Sequence, residues 1–323
     1  MGGGNFSLDV LKTIAITLVI IYHCGLFHDY ISAAILSMCV PIFFCINGSL
    51  MLRKEYSYLY LLRKNIKIFF LIVIWGLVYS YVGSLSLGEE VTEVMSLYRQ
   101  IGHPLKGDHL WFLMVLFSLN IFNPLIYSYI KPNRKQRAIL LVSLFTVFTL
   151  NIIVFRIPFN LRPFSLWGSW ALIYYMIGYL IIDCKIVIGN KRISCFLFAV
   201  VSILQMLYNY LQKDASNLVP DGYQSPFVIL MVSFLIMTIC TDSINILQNR
   251  FISFIGKHTL GIYLFQGILI RLLYEKMQGN MLFPVIVFVL CILLVYCLDT
   301  NKYSRYFITL NTLTSNKYDS VIK

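Results

Sequence analysis

Long apolar runs, interrupted by short polar or basic segments, set the pattern of this chain. A helix needs about 20 apolar residues to cross a bilayer. Ten runs approach that length: 8–27, 31–52, 67–84, 109–130, 138–155, 168–183, 193–211, 226–241, 259–275 and 281–298. They predict an all-α polytopic membrane protein of about ten transmembrane helices. The loops are too short to house a second domain. The expectation is therefore one integral-membrane domain over 1–323, with spans across about 8–298 and a cytoplasmic tail over 299–323. The longest polar segment, 85–108, carries Glu89, Glu90, Glu93 and Asp108 and is expected to be solvated, capping an outer mouth. Residues 242–258 set Ile244, Leu247, Phe251, Phe254 and Ile255 at helical spacing beside polar positions, which predicts a short helix in the inner interface. No internal repeat is visible, which argues against a transporter built from inverted halves.

Composition agrees with the pattern. Only 12% of residues are charged and 59% are hydrophobic, whereas a soluble domain has about a quarter charged. The net charge of +12 does not indicate nucleic acid, because the basic residues fall in clusters between apolar runs and not on one face. Those clusters orient the chain. With the N-terminus inside, nineteen of the 26 Lys and Arg lie on inner segments and seven on outer ones, so both ends are expected in the cytoplasm of a cell-membrane protein. Most of the eight cysteines sit within apolar runs, where a thiol is a small hydrophobe. No C-x-x-C or zinc spacing appears, so neither a disulfide frame nor a metal site is expected. Phe6 stands where a myristoylation signal needs Ser or Thr. The first run is not followed by a small-residue cleavage site, so it is expected to remain as a span.

Ionisable groups inside a span are costly and are functional candidates. The first run holds two, Lys12 and His23. Eleven residues make three helical turns plus about 20°, so both fall on one face, about 16 Å apart along the axis. Taken singly, Lys12 can snorkel to lipid phosphates and His23 can bond a neighbouring helix; the pairing on one face argues for more. His28, His103, His109 and His258 lie at or beyond span ends without zinc spacing, and read as structural or solvated. Arg156 and Arg162 frame an outer loop with Pro158 and Pro163, where snorkelling explains them as well as contact with an anionic acceptor does.

Asp9-Val10-Leu11-Lys12, ten residues and then His23 resembles the opening motif of the membrane-bound acyltransferase-3 family, Arg/Lys-x10-His. Further segments resemble that family in its order: Val40–Leu50, reading VPIFFCINGSL; His109–Leu113 with Pro124; Tyr174–Tyr179, reading YYMIGY; and Ile255–Leu264, reading IGKHTLGIYL. The likeness runs from residue 8 to about 298. Three positions depart from it. Lys12 stands where Arg is commoner, Lys64-x-x-Lys67 replaces a cytoplasmic Arg-x-x-Arg and so loses the bidentate fork, and Gln266 stands where many relatives have His.

The resemblance implies transfer of an acyl group, usually acetyl, from cytoplasmic acyl-CoA to a hydroxyl of a cell-surface polysaccharide or its lipid-linked precursor. No cofactor is bound; acetyl-CoA is a donor substrate. An imidazole near neutral pKa suits a general base, and it can equally carry the acyl group. His23 is thus the expected catalytic residue. Lys12, Arg63, Lys64 and Lys67 are expected to meet the donor's phosphates. Asn47 and Trp111 can orient the acceptor or donate to the oxyanion. Asn47 also suits bonding between helices, and Trp111, at a predicted membrane edge, also suits an aromatic belt. Expected partners are acyl-CoA, a glycan or lipid-linked saccharide, membrane lipids and other glycan-assembly proteins. The competing function is a carrier or flippase that moves a lipid-linked glycan without acylating it. Such a carrier does not need the Lys12/His23 alignment.

Overall fold

The computed structural model describes residues 6–26, 29–87, 110–130, 167–187, 189–211, 222–240 and 249–309. Among these residues all regular structure is helical. The order is α1 (Phe6–His23), α2 (Tyr30–Leu36), α3 (Cys39–Leu52), α4 (Tyr58–Leu87), α5 (Trp111–Ile130), α6 (Trp167–Gly178) continued by a π-helical turn (Tyr179–Asp183), α7 (Lys191–Leu211), a 3-10 turn (Gly222–Gln224), α8 (Pro226–Cys240), α9 (Arg250–Met277), α10 (Phe283–Asp299) and α11 (Lys302–Ile308).

Nine of the ten predicted spans fall mainly on described residues, and helix covers most of each. The fifth, 138–155, lies outside the described residues, as do the acidic segment over 88–108, His28, His103, His109, Arg156 and Arg162. Four segments are long and apolar enough to cross a membrane: Phe6–His23, Tyr30–Leu52, Trp111–Ile130 and Lys191–Leu211. Trp170–Asp183, Pro226–Cys240 and Phe283–Asp299 are apolar but shorter. Several helices turn apolar side chains outward. α7 exposes Phe196, Ile203, Leu207 and Leu211, α5 exposes Ile121, Phe122 and Leu125, and α10 exposes Val285, Val289 and Leu293. Water does not favour such stripes and lipid does, so the chain is a membrane protein.

Two predicted elements differ from those observed. The second run, 31–52, is split at Ser37, whose hydroxyl donates to the Ala34 carbonyl at 2.6 Å while the Met38 N–H reaches Ile35. These local bonds draw the backbone out of the α-helical ladder. Asp29 caps α2 by accepting the Ser32 N–H at 2.6 Å, which holds its carboxyl below the usual carboxylate range. The expected interfacial helix and the ninth span are, over the described residues, one helix, α9. No proline interrupts 250–277, so nothing forces a break there; Ile244 and Leu247 lie outside the described residues.

The chain forms two compact units. The first comprises Met1–Tyr22, Phe27–Tyr56 and Phe122–Gly256. Its centre is the crossing of α3 and α6. A Cβ on Gly48 would overlap the Tyr175 carbonyl, and one on Gly178 would overlap the Cys45 carbonyl. Only glycine allows this backbone-on-backbone contact, the small-residue packing that membrane helices use. The Phe44 ring meets Trp170 edge-on at 5.5 Å, and Arg53 pairs with Asp183 at 2.9 Å at the far end. The two helices therefore run parallel. Beside them, Ser225, Gln205, Asn209 and the Tyr30 carbonyl form a hydrogen-bonded chain that ties α2, α7 and α8 together.

The second unit comprises His23–Leu26, Ser57–Ile121 and Lys257–Lys323. Trp75 and Tyr79 of α4 join it to α9. Trp75 packs edge-on against Phe265 at 4.9 Å, and the Tyr79 hydroxyl donates to the Leu264 carbonyl at 2.6 Å. The Arg271 guanidinium donates to the Tyr79 carbonyl at 3.3 Å. α11 folds back onto the same helices: Trp75 Nε1 donates to the Phe307 carbonyl at 3.3 Å, and Ile308 is buried against Gly261.

Candidate functional site

α1 is unbroken from Phe6 to His23, so the eleven-residue spacing of Lys12 and His23 stands as one helix face. Gly25, at φ +66°, ends the helix two residues later. Between Lys12 and His23 on that face come Ile16 and Val19, both fully buried. The face is thus turned toward protein and not lipid. His23 itself is half-buried in the last turn.

In the first unit, Lys12 is held by a partner that the sequence reading missed. Its Nζ lies 3.3 Å from Asp9 Oδ1, one turn earlier, with both side chains largely covered. Thr13 adds a bond to the Asp9 carbonyl at 2.8 Å. Asp9 in turn rests on Gly256 of α9, where any Cβ would collide with it. The signal was available in the sequence: an acid three residues before a cation in a helix is an ion-pair spacing. Asn47, the other first-unit candidate, is half-buried and donates to the Phe43 carbonyl within α3 at 2.9 Å.

The remaining candidates belong to the second unit. Arg63 is exposed at the start of α4, Lys64 is half-buried, and Lys67 is 1% exposed. The Lys67 ammonium lies 4.0 Å from the centroid of the Tyr306 ring in α11, a cation–π contact in a covered setting. Nearby in sequence, Asp299 at the end of α10 gathers three basic groups. Arg305 approaches at 2.7 Å, His258 at 3.3 Å and Lys257 at 3.9 Å. His258, expected to be structural or solvated, is completely buried. The Arg305 guanidinium also donates to the Asp299 carbonyl at 2.6 Å. Lys257 and Arg305 are exposed, so each pairing contributes at most about 1 kcal/mol. What the arrangement fixes is position: α9, α10 and α11 meet at one carboxylate, leaving a net positive end.

Trp111 is not at the edge of its neighbours. A Cβ on Gly76 would touch Leu110, and the Phe112 ring meets Tyr263 at 5.7 Å. Gly76 lies eleven residues before the end of α4, about 16 Å along its axis. The first turn of α5 therefore stands level with the middle of α4 and α9, which does not suit the aromatic-belt reading of Trp111. Gln266, on α9, is completely buried. Among the described residues, no three His, Cys, Asp or Glu side chains group to hold a metal ion.

No curated protein and no solved structure matches the chain. The acyltransferase-3 family profile, described as an acyltransferase domain, matches residues 5–299. That interval takes in His23, Arg63, Lys64, Lys67, Trp111 and Gln266 and ends on Asp299, the carboxylate at which three helices meet. A match over nearly the whole chain, on an all-helical apolar fold, establishes that the chain belongs to the acyltransferase-3 family of membrane proteins.

Proposed function

We propose that the protein is a cell-membrane O-acyltransferase that moves an acetyl group from cytoplasmic acetyl-CoA to a hydroxyl of a cell-surface polysaccharide or its lipid-linked precursor. The observation that carries this reading is the α1 face on which Lys12 and His23 stand, directed into protein within a chain of the acyltransferase-3 family. A titratable ring kept at the end of an apolar helix needs a functional reason.

In the transfer, His23 takes the proton of the acceptor hydroxyl as its oxygen bonds to the thioester carbonyl carbon. The carbon–sulfur bond then breaks, and the departing CoA thiolate takes the proton back from the imidazolium. In the route through an acetyl-histidine, a ring nitrogen bonds the carbonyl carbon as the carbon–sulfur bond breaks and the thiolate leaves. The acceptor oxygen then bonds that carbon as the carbon–nitrogen bond breaks, and the hydroxyl proton passes by way of the freed imidazole to the thiolate. Arg63, Lys64 and Lys67 receive the donor's phosphates, and Lys12 supplies a further cation. Asn47 and Trp111 are reserved for the acceptor or the oxyanion. No metal enters this scheme.

The reading includes ten crossings with both ends in the cytoplasm, which the nineteen-to-seven distribution of basic residues supports. Single cysteines in a thiol-free background test it. Asp29→Cys should label from outside, and Lys54→Cys only after permeabilisation; the reverse pattern overturns the orientation. The chemistry is tested by mass spectrometry of surface glycan from a deletion strain. An acyltransferase predicts intact glycan lacking acetyl esters. The carrier alternative predicts less glycan with its ester content unchanged.

A further inference from the structure

The donor in the proposed reaction joins its phosphates to its sulfur through a pantetheine arm. That arm carries two secondary amides, each with one N–H and one C=O, and no charge. If the phosphates meet the basic end of the second unit, the arm must enter the apolar part of the protein, where its amides lose water and need partners.

Gln266 has the complementary property. It is 0% exposed, and among the described residues neither its Nε2 nor its Oε1 has a hydrogen-bond partner. Buried polar groups are nearly always bonded, and an open donor and acceptor on one side chain is a costly exception that asks for a reason. Its location is defined by neighbours of the same unit. It lies on α9 one turn beyond Tyr263, whose ring meets Phe112 at the start of α5, and next to Phe265, which packs on Trp75. It also lies eight residues beyond His258, where α9 meets Asp299, a rise of about 12 Å along the helix. The carboxamide is thus buried one turn from Tyr263 on α9, one arm's reach from the cationic end. A charged ligand group does not suit it, since it brings no compensating charge. A neutral chain offering one N–H and one C=O from neighbouring amides does.

Resting on the donor reading above, we infer that Gln266 receives the pantetheine arm, with Nε2 donating to the carbonyl of one of its secondary amides and Oε1 accepting the N–H of the other. The residue is then a positioning residue that sets how far the thioester travels into the protein.

The test uses the purified full-length protein in detergent, with equilibrium binding of acetyl-CoA and of two analogues in which one or the other pantetheine amide is replaced by a ketomethylene unit. Wild-type protein is expected to prefer acetyl-CoA over one analogue by about tenfold, the value of one hydrogen bond. Gln266→Leu should bind acetyl-CoA about tenfold more weakly and lose that discrimination, because the partner of the amide is gone. The same variant should melt at an equal or higher temperature without ligand, since Leu removes two unmatched polar atoms. A structural Gln would instead lower the melting temperature and leave the discrimination intact, which overturns the inference. Gln266→Met gives the same readout if Leu does not fit the site. Unchanged acetyl-CoA binding in both variants also overturns it. Failure of wild-type protein to bind acetyl-CoA overturns the donor reading, and this inference with it; binding that ignores Gln266 overturns this inference alone.

Discussion

The two units bury polar groups in opposite ways. In the first, the interior is built for contact: Gly48 and Gly178 bring α3 and α6 backbone to backbone, and the Tyr174, Tyr175, Gln205 and Ser225 side chains are all hydrogen-bonded, with the Ser49 hydroxyl and one oxygen of the Arg53-paired Asp183 the exceptions among the described residues. In the second, the interior holds a lysine, a histidine and amides that a membrane core would exclude. Lys67 and His258 are covered, and polar atoms of Asn65, Asn120 and Gln266 are buried without hydrogen-bond partners among the described residues. Removing an unsatisfied group is cheap for stability, whereas removing a close-packing glycine is not. The contrast separates a region selected for assembly from one that keeps costly chemistry.

The strongest way to break that contrast is Gly48→Leu. The overlap with the Tyr175 carbonyl cannot be relieved by a rotamer change, so folded protein should be lost, seen as aggregation in detergent size-exclusion profiles. A monodisperse variant at wild-type yield would mean that the crossing is not essential. Next is His23→Gln, which keeps size and a hydrogen-bond donor but not basicity. Folded protein should persist while acyl transfer falls about 10²–10⁴-fold; substantial acetylation at normal protein levels would remove His23 from the chemistry. Lys64→Glu with Lys67→Glu should raise the acetyl-CoA KM by about 10-fold or more, at about 1–3 kcal/mol for each charge-assisted contact, with insertion little changed. Donor affinity equal to wild type would place the phosphates elsewhere. The smallest effect belongs to Arg305→Ala. As an exposed partner of Asp299 it should cost under about 1 kcal/mol in thermal unfolding, and a larger loss would show that the three-helix junction is a stability centre.

The helical class and the places of the apolar helices were legible because burial in lipid imposes long apolar runs, and such runs are visible in any sequence. The parting of α2 from α3 was not, since it depends on a serine hydroxyl choosing the backbone of its own turn. The α1 face bearing Lys12 and His23 could be read from spacing alone, as could the Lys64-x-x-Lys67 charges. Asp9 was within reach but was passed over beside the more conspicuous lysine. Asp299, His258, Arg305 and Tyr306 were not legible as a group, because they come from α9, α10 and α11 and only tertiary folding assembles them. Trp111 was placed at an edge by run length, yet the contacts of Leu110 and Phe112 put the first turn of α5 at mid-height.

The contact between Lys67 and Tyr306 sets an order on biosynthesis. Some 240 residues separate the two, so α4 must enter the membrane with its lysine long before the ribosome has made the ring that covers it. During that interval the second unit is open at its basic end, and a stalled or prematurely terminated chain ending near Asp299 would remain so. Such a product would carry every predicted span and yet leave Trp75, Gly261 and Lys67 without the segment that packs on them, which makes it a natural substrate for membrane quality-control proteases.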